Sequence, residues 1–307
     1  MAPLAPSPEV LLRLQAVFAA FIALLAFTPQ SHRLPVATRR GLWIKLVVFY
    51  LITHLFLLLV TLGGVWLHAG VLLVGLAACR ELVGVLLPEP GQAPYRALAW
   101  AGSLAALLLA PSEAAEGPLL LAFLLATLAV PVLRHQPAGC HAAVAFTVLA
   151  VLLAGVLPLD LLRLRQEQGL AAVFLFLLVV LNDGFAEACG RLFGRHPFFQ
   201  SISPQKTLEG ALGGTAAALA GALLFHPLLP VPAWQRLLLG LVASVAGHLG
   251  DLIFSALKRS VGRKDFDSLL PSHGGVLDRF DSLWVAAPAF HHAYRALVSL
   301  TQGGGTP

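Results

Sequence analysis

The residues best able to do polar chemistry are crowded into the last third of the chain. Ten acidic or basic residues lie between 251 and 281, and nine of them follow residue 257. The tenth, Asp251, falls late in an apolar run, within Gly247-His248-Leu249-Gly250-Asp251. A carboxylate in such surroundings is costly unless a cation or a hydrogen-bond donor accompanies it. At helical spacing Asp251, Ser255 and Lys258 stand at i, i+4 and i+7 and share one face. A metal-binding carboxylate, a hydroxyl and an ammonium on one stripe would suit a polyphosphate. The plain alternative is a structural Asp251–Lys258 ion pair.

Two neighbouring stretches extend the pattern. Lys264-Asp265-Phe266-Asp267 is followed by Pro271-Ser272-His273-Gly274-Gly275-Val276-Leu277-Asp278-Arg279-Phe280-Asp281-Ser282. Gly274 and Gly275 permit backbone geometries that bring N–H groups close to an anion. Asp278 and Asp281, three apart at the start of a helix, can point the same way. Hard oxygen donors of this kind suit Mg²⁺, which one or two carboxylates hold while substrate phosphates fill other positions. Upstream, Asn182-Asp183 closes an apolar stretch, with Glu187 one turn on and Arg191 a turn further. Asp183 and Glu187 could share a metal, but Glu187 is better read as the favourable i, i+4 partner of Arg191. Ser203-Pro204-Gln205-Lys206-Thr207 reads as a helix start, with Ser203 as cap and Pro204 in the first turn. Lys206 would then lie near the positive end of the helix, where phosphate is attracted. Gly210, Gly213 and Gly214 supply a small-residue face for close helix packing.

The elements that must carry these groups are membrane helices. Hydrophobic residues make up 58% of the chain, charged residues only 11%, and mean hydropathy is +0.83. Soluble domains carry about 25% charged residues, so the bilayer is the expected solvent. Stretches near the roughly 20 residues that cross a bilayer occur around 10–28, 43–62, 66–88, 95–110, 117–133, 141–158, 169–189, 209–226, 235–257 and 282–299. The expected fold is all-α, a polytopic transmembrane bundle of about eight to ten helices. Residues 1–180 would form N-terminal transmembrane helices, 181–300 a C-terminal catalytic region with cytosolic loops, and 301–307 a disordered tail. The first stretch lacks a basic n-region and reads as a retained helix.

Charge placement sets an orientation. With Arg33, Arg39 and Arg40 in the cytoplasm, Arg96, Arg134, Arg191, Arg195, Lys206 and the 258–264 cluster fall on the same side, while Glu113 and Glu116 fall outside. The 159–168 loop, with Arg163 and Arg165, breaks the alternation. The net charge of +5 includes no run of five basic residues, so nucleic acid is not the expected partner. Cys79, Cys140 and Cys189 lack metal-ligand spacing and read as small apolar residues. His54 and His68 read as hydrogen-bonded or interfacial. Arg80 and Glu81, inside an apolar run, are either a mutually satisfied structural pair or a substrate contact.

At its polar residues the sequence resembles the CDP-diglyceride synthetase (phosphatidate cytidylyltransferase) family. Ser255, Leu257, Lys258, Arg259, Lys264, Asp265, Pro271, His273, Gly274, Gly275, Asp278, Arg279 and Asp281 match the family signature in order and spacing. Asn182-Asp183, Gly190 to Gly194, Ser203-Pro204, Lys206-Thr207, Glu209-Gly210 and Gly213-Gly214 extend the likeness, which covers residues from about 180 to 290. Leu208, Ser272, Glu187 and Asp267 depart from the usual residues without removing an expected ligand or cation. The resemblance implies a Mg²⁺-requiring transfer of a cytidine nucleotide from CTP to phosphatidate, releasing pyrophosphate, in an integral membrane enzyme; the charge placement puts its two charge-rich loops, 183–208 and 258–281, in the cytoplasm. Asp183, Asp251, Asp278 and Asp281 form the expected metal pool, with Asp251 and Asp278 the leading members. Lys258 and Arg259 join them as catalytic groups. Ser203, Lys206, Thr207, Ser255, Lys264, Asp265, His273, Gly274, Gly275 and Arg279 would bind substrate. His273 would be an orienting donor, because the nucleophile is already an anion.

Rival readings are a CTP-dependent polyprenol kinase, a cytidylyltransferase for another lipid phosphate, and a transporter. Membrane lipids are expected partners in each case, and a homodimer is an open alternative to a monomer.

Overall fold

Runs of apolar residues too long for strands and without two-residue alternation fold here as helices, which satisfy their own backbone groups in lipid. The computed structural model describes residues 6–27, 36–109, 113–135, 138–267 and 274–303. Among these, eleven α-helices occur in order: α1 (Pro8–Phe27), α2 (Val36–Leu62), α3 (Gly64–Leu86), α4 (Ala93–Leu109), α5 (Glu113–Leu133), α6 (Cys140–Val151), α7 (Leu159–Glu167), α8 (Ala171–Phe193), α9 (Leu208–Leu224), α10 (Ala233–Ser260) and α11 (Leu277–Gly303). No strand occurs among the described residues; Pro197 and Thr207 form only an isolated antiparallel bridge. The fold is an all-α membrane bundle. Among the described residues, five spans are long and apolar enough to cross a bilayer: Gly64–Leu86, Glu116–Leu133, Cys140–Glu167, Ala171–Phe193 and Ala233–Ser260. Leu208–Leu224 is a shorter apolar helix. The protein is a multi-pass membrane protein.

Helix α8 is the axis of the C-terminal half. Every residue from Ala171 to Val179 is buried, so this helix is covered on all sides by protein. It packs most extensively against α9, while α10 packs against α11. Peripheral helices do the reverse: α5 leaves Leu121, Leu125, Val132 and Leu133 exposed, a surface suited to lipid tails. Leu152–Val156 forms a π-helical turn after α6. There a β-carbon on Gly155 would lie 2.9 Å from the Ser103 Cα, which shows how closely this turn and α4 approach.

Two expectations change. The stretch 159–168, expected as a loop, is mostly helix α7. Its charges are matched inside the protein. Arg163 pairs with Glu116 and, at 3.3 Å, with Asp160. Asp160 also meets His291 Nδ1 at 2.5 Å, and Glu167 lies 3.2 Å from His291 Nε2 and 3.6 Å from Arg295. Partnered charges need not face water, so they are poor markers of a loop. At the other end, α11 continues to Gly303, into the stretch expected as a tail; residues 304–307 lie outside the described residues.

The two histidines expected to be hydrogen-bonded or interfacial are hydrogen-bonded. His54 meets the Tyr50 carbonyl at 2.8 Å and Gln15 at 3.0 Å, and His68 meets the Leu107 carbonyl at 2.7 Å. The three cysteines are unbridged, and Cys79 is fully buried.

Candidate active site

Three carboxylates from three helices converge where α8, α10 and α11 meet. Asp183 of α8, Asp251 of α10 and Asp281 of α11 are close enough for their charges to interact. Glycine makes the approach possible. A β-carbon on Gly250 would stand 2.5 Å from the Asp281 carbonyl oxygen and 3.1 Å from the Ser282 Cα. The α10 backbone therefore lies directly against α11, one residue before Asp251. On the other side, a β-carbon on Gly214 would stand 2.5 Å from the Asn182 carbonyl oxygen, which places α9 equally close to α8.

A hydrogen-bonded network supports the carboxylates from behind. Asn182 is fully buried; its Nδ2 donates to Asp183 Oδ1 at 3.1 Å and its Oδ1 accepts from Ser244 Oγ at 2.7 Å. Ser244 in turn meets Thr215 at 2.8 Å. His248 bridges the Ala211 carbonyl, at 3.2 Å, and Asn182, at 3.4 Å. Ser282 hydrogen-bonds Asp183 through its side chain, and its backbone N–H donates to Asp281 Oδ1 at 2.8 Å. A side chain held this way cannot drift from the position its chemistry needs.

Two lysines face these acids. Lys206 Nζ lies 2.5 Å from Asp251 Oδ2, and both side chains are partly exposed. Ser255 Oγ donates to Asp251 Oδ1 at 3.3 Å. Lys258 is only 8% exposed and sits 2.5 Å from Asp278 Oδ1, with the Phe266 ring beneath it at 5.3 Å. The other Asp278 oxygen accepts the N–H groups of Gly275, at 2.9 Å, and Phe266, at 3.2 Å. The expected face of Asp251, Ser255 and Lys258 is therefore split: Asp251 takes its cation from another loop, and Lys258 turns to α11.

The loop that brings Lys206 is braced by Glu209, whose carboxylate accepts the backbone N–H groups of Arg195 at 3.0 Å and His196 at 3.2 Å. Phe198 N–H donates to the Lys206 carbonyl at 2.8 Å. Helix α9 begins later than expected. Thr207, not Ser203, is its cap and accepts from Gly210 N–H at 3.2 Å. Residues 203–206 form a turn closed by the Lys206 N–H on the Ser203 carbonyl, at 3.1 Å. Lys206 closes this turn just before α9, and its ammonium reaches Asp251 on α10.

Other expected site residues lie around this centre. Arg259 holds the same loop, donating to the Ile202 carbonyl at 3.4 Å. Lys264 and Asp265 are exposed beyond the end of α10, and Arg279 is half-buried in the first turn of α11. Gly274 adopts a left-handed φ of 76°. A β-carbon there would stand 2.6 Å from Asp278 Oδ2, so the turn needs glycine for two reasons. The anion that this Gly-Gly turn serves is the protein's own Asp278. His273 lies outside the described residues. Glu187 pairs with Arg191 as expected.

Sequence reasoning did not pick out Asn182, Ser244, His248 or Ser282 as site residues. Two of them adjoin an acid, Asn182 before Asp183 and Ser282 after Asp281, which was the available signal. Ser244 and His248 become recognisable only when α8 and α10 are placed together.

The site's chemistry fits a divalent cation. Four carboxylates (Asp183, Asp251, Asp278, Asp281) and two ammonium groups (Lys206, Lys258) gather about the facing ends of α8, α10 and α11, more acids than cations. Acids in such surroundings are offset by a cation or by a proton. Among the described residues no three His, Cys, Asp or Glu side chains form a ready-made cage.

These features define a membrane-embedded polar centre of oxygen donors and ammonium groups, suited to phosphate chemistry. The chain belongs to the cytidylyltransferase family, which it matches over residues 43–297. It is 39% identical over 146 residues to a phosphatidate cytidylyltransferase of Staphylococcus epidermidis, covering 47% of this chain and 56% of that one. It is 44% identical over 143 residues to a phosphatidate cytidylyltransferase of Brucella abortus, covering 46% and 53%. A similar match, 44% over 131 residues, is to the uncharacterized protein YnbB of Escherichia coli, covering 42% and 44%. In these comparisons the chain spans about half the length of the curated relatives it matches.

Proposed function

We propose that the protein is a phosphatidate cytidylyltransferase, converting CTP and phosphatidate to CDP-diacylglycerol and pyrophosphate. The observation that carries this reading is the meeting of Asp183, Asp251 and Asp281 beside the Lys206–Asp251 pair at the partly exposed end of an apolar bundle. One substrate is water-soluble and the other is lipid, so a site at that boundary can receive both. Relatives named phosphatidate cytidylyltransferase support the choice of lipid.

In the proposed reaction an oxygen of the phosphatidate phosphate attacks the α-phosphorus of CTP. A new O–Pα bond forms, the bond from Pα to the bridging β-oxygen breaks, and pyrophosphate leaves with that electron pair. The nucleophile is already an anion, so no side chain must take a proton. Catalysis then depends on positioning and on neutralising charge as it develops. Lys206, freed from Asp251 by the incoming nucleotide, supplies one mobile positive charge. Lys258, anchored by Asp278, supplies a fixed one. Asp183, Asp251 and Asp281 would hold Mg²⁺, which when bound lowers the charge on the phosphate oxygens. The site loops 194–207 and 261–267 would face the cytoplasm, where CTP is found.

The test is turnover by purified protein in detergent micelles containing phosphatidate, CTP labelled at the α-phosphate and Mg²⁺. The expected outcome is label in a lipid product with one pyrophosphate released per lipid, abolished by EDTA and restored by Mg²⁺. Phosphorylated lipid with CDP as by-product would replace this reading with a CTP-dependent lipid kinase.

A further inference from the structure

Glu81 stands far from the acidic centre in sequence, on α3, yet it touches the active-site loop. Its side chain is buried, 3% exposed, and does not pair with Arg80. Its two oxygens accept the backbone N–H groups of Val276, at 2.7 Å, and Leu277, at 2.9 Å. These amides lead into α11, where a helix leaves its first N–H groups without internal partners and carries its positive end. The cap thus comes from another helix, 195 residues earlier in the chain. Gly275 is pressed against the same carboxylate, and a β-carbon there would overlap it. Arg80, the adjacent residue of α3, meets Asp267 at 3.4 Å. Two consecutive residues of α3 therefore hold both flanks of segment 268–273.

The acidic centre lies immediately beyond this anchor. Gly275 N–H bonds Asp278, Asp278 bonds Lys258, and Asp281 lies one turn further along α11. A shift of the α11 entry would be transmitted to each of them. A misplacement of about 1 Å at reacting groups can cost roughly a hundredfold in rate.

We propose that Glu81 is a positioning residue for the active site: it caps α11 from α3 and thereby sets where Asp278 and Asp281 stand. The catalytic part of this proposal rests on the cytidylyltransferase reading, whereas the capping part does not.

The experiment compares wild-type full-length protein with Glu81→Gln and Glu81→Asp, using two readouts. Hydrogen exchange measured by mass spectrometry reports the amides of 274–282. Glutamine keeps the shape but turns an N–H₂ group toward a backbone donor, so exchange there should quicken about five- to tenfold, the scale of a lost helix cap, while α8 and α9 stay unchanged. Turnover of CTP with phosphatidate should fall about ten- to a hundredfold, as for other lost supports of a reactive site. The loss should lie in kcat rather than in KM for CTP, and Glu81→Asp, which keeps the charge but not the reach, should lose less than Glu81→Gln. Unchanged exchange at 276–277, or loss of protection across the whole bundle, would overturn the cap as a local device. Altered exchange with wild-type kcat would overturn positioning. If wild type itself makes no CDP-lipid, the proposed reaction fails while the exchange readout still decides the cap. If Glu81→Gln does not accumulate, the same exchange comparison with Glu81→Asp decides it, because a shorter carboxylate cannot span both amides.

Discussion

Lys206 and Asp251 share an ion pair at 2.5 Å, with 24% and 35% of their side chains exposed. A pair so placed is weak as a structural tie, because water screens it. It is better suited to opening when a triphosphate competes for the lysine. Replacing Lys206 with methionine removes that charge while keeping the aliphatic stem. Turnover should drop at least about a hundredfold, the scale of one lost stabiliser of transition-state charge, with the unfolding midpoint nearly unchanged. Asp251→Asn should lose a similar amount and weaken the dependence on Mg²⁺, read from activity against metal concentration. Wild-type activity with unaltered metal dependence in Asp251→Asn would remove that residue from the metal site. Lys258 and Asp278 differ in kind: both are nearly buried, and Asp278 also closes the Gly274–Gly275 turn. Sequence spacing alone placed Lys258 on one stripe with Asp251, because i, i+7 neighbours share a helix face. The decision between Asp251 and Asp278 as partner belongs to the loop after α10, which spacing within one helix does not describe.

At the scale of elements, the site depends on helices that approach without side chains between them. Gly250 sets α10 against the backbone of α11, and Gly214 sets α9 against α8. Gly250→Ala places a methyl group against a carbonyl oxygen and a Cα atom rather than against a flexible side chain. The neighbouring helix must shift, with a destabilisation of about 1–3 kcal/mol, typical of overpacking. Thermal unfolding in detergent should show the loss. Turnover at a temperature where the variant remains folded should fall as well, because Asp251 and Asp281 move apart. Most helix boundaries were legible from hydropathy to within a few residues, since lipid imposes both length and apolarity on a span; the start of α2, at Val36 and well before the expected stretch, and the polar helix α7 were not. Nor was the start of α9: Ser203-Pro204 and Thr207 are each acceptable helix openings. The bridge between Pro197 and Thr207 and the Glu209 brace select the later one.

Across the whole molecule, a second charged cluster joins α7 to α11 away from the acidic centre. Asp160 bonds both His291, which is fully buried, and Arg163, while Glu167 draws in Arg295. Removing one member of a buried ionic group leaves the others uncompensated, at a cost of about 3–5 kcal/mol. Asp160→Ala should therefore lower the unfolding midpoint sharply while leaving KM for CTP unchanged, which unfolding curves and steady-state kinetics can check together. A change in KM at constant stability would instead connect this cluster to the site. The same charges disturbed the orientation read from loop arginines. That rule counts charges displayed to water, and these are spent inside the protein.

Composition and hydropathy by themselves determined that this chain is an all-helical membrane protein, because no soluble fold can cover its surface with 11% charged residues. The types and spacing of the polar residues after Asn182 also pointed to a site suited to a polyphosphate, since acids, lysines and paired glycines in an apolar chain are retained there at a cost. Tertiary structure alone decided the partners. Asp183, Asp251 and Asp281 come from three helices whose registers are set by glycine contacts. Lys206 crosses from a loop to α10, and Glu81 caps a helix nearly two hundred residues away. A sequence reports which groups are costly to bury. Which groups offset that cost depends on distances between helices, and those exist only once the helices have packed.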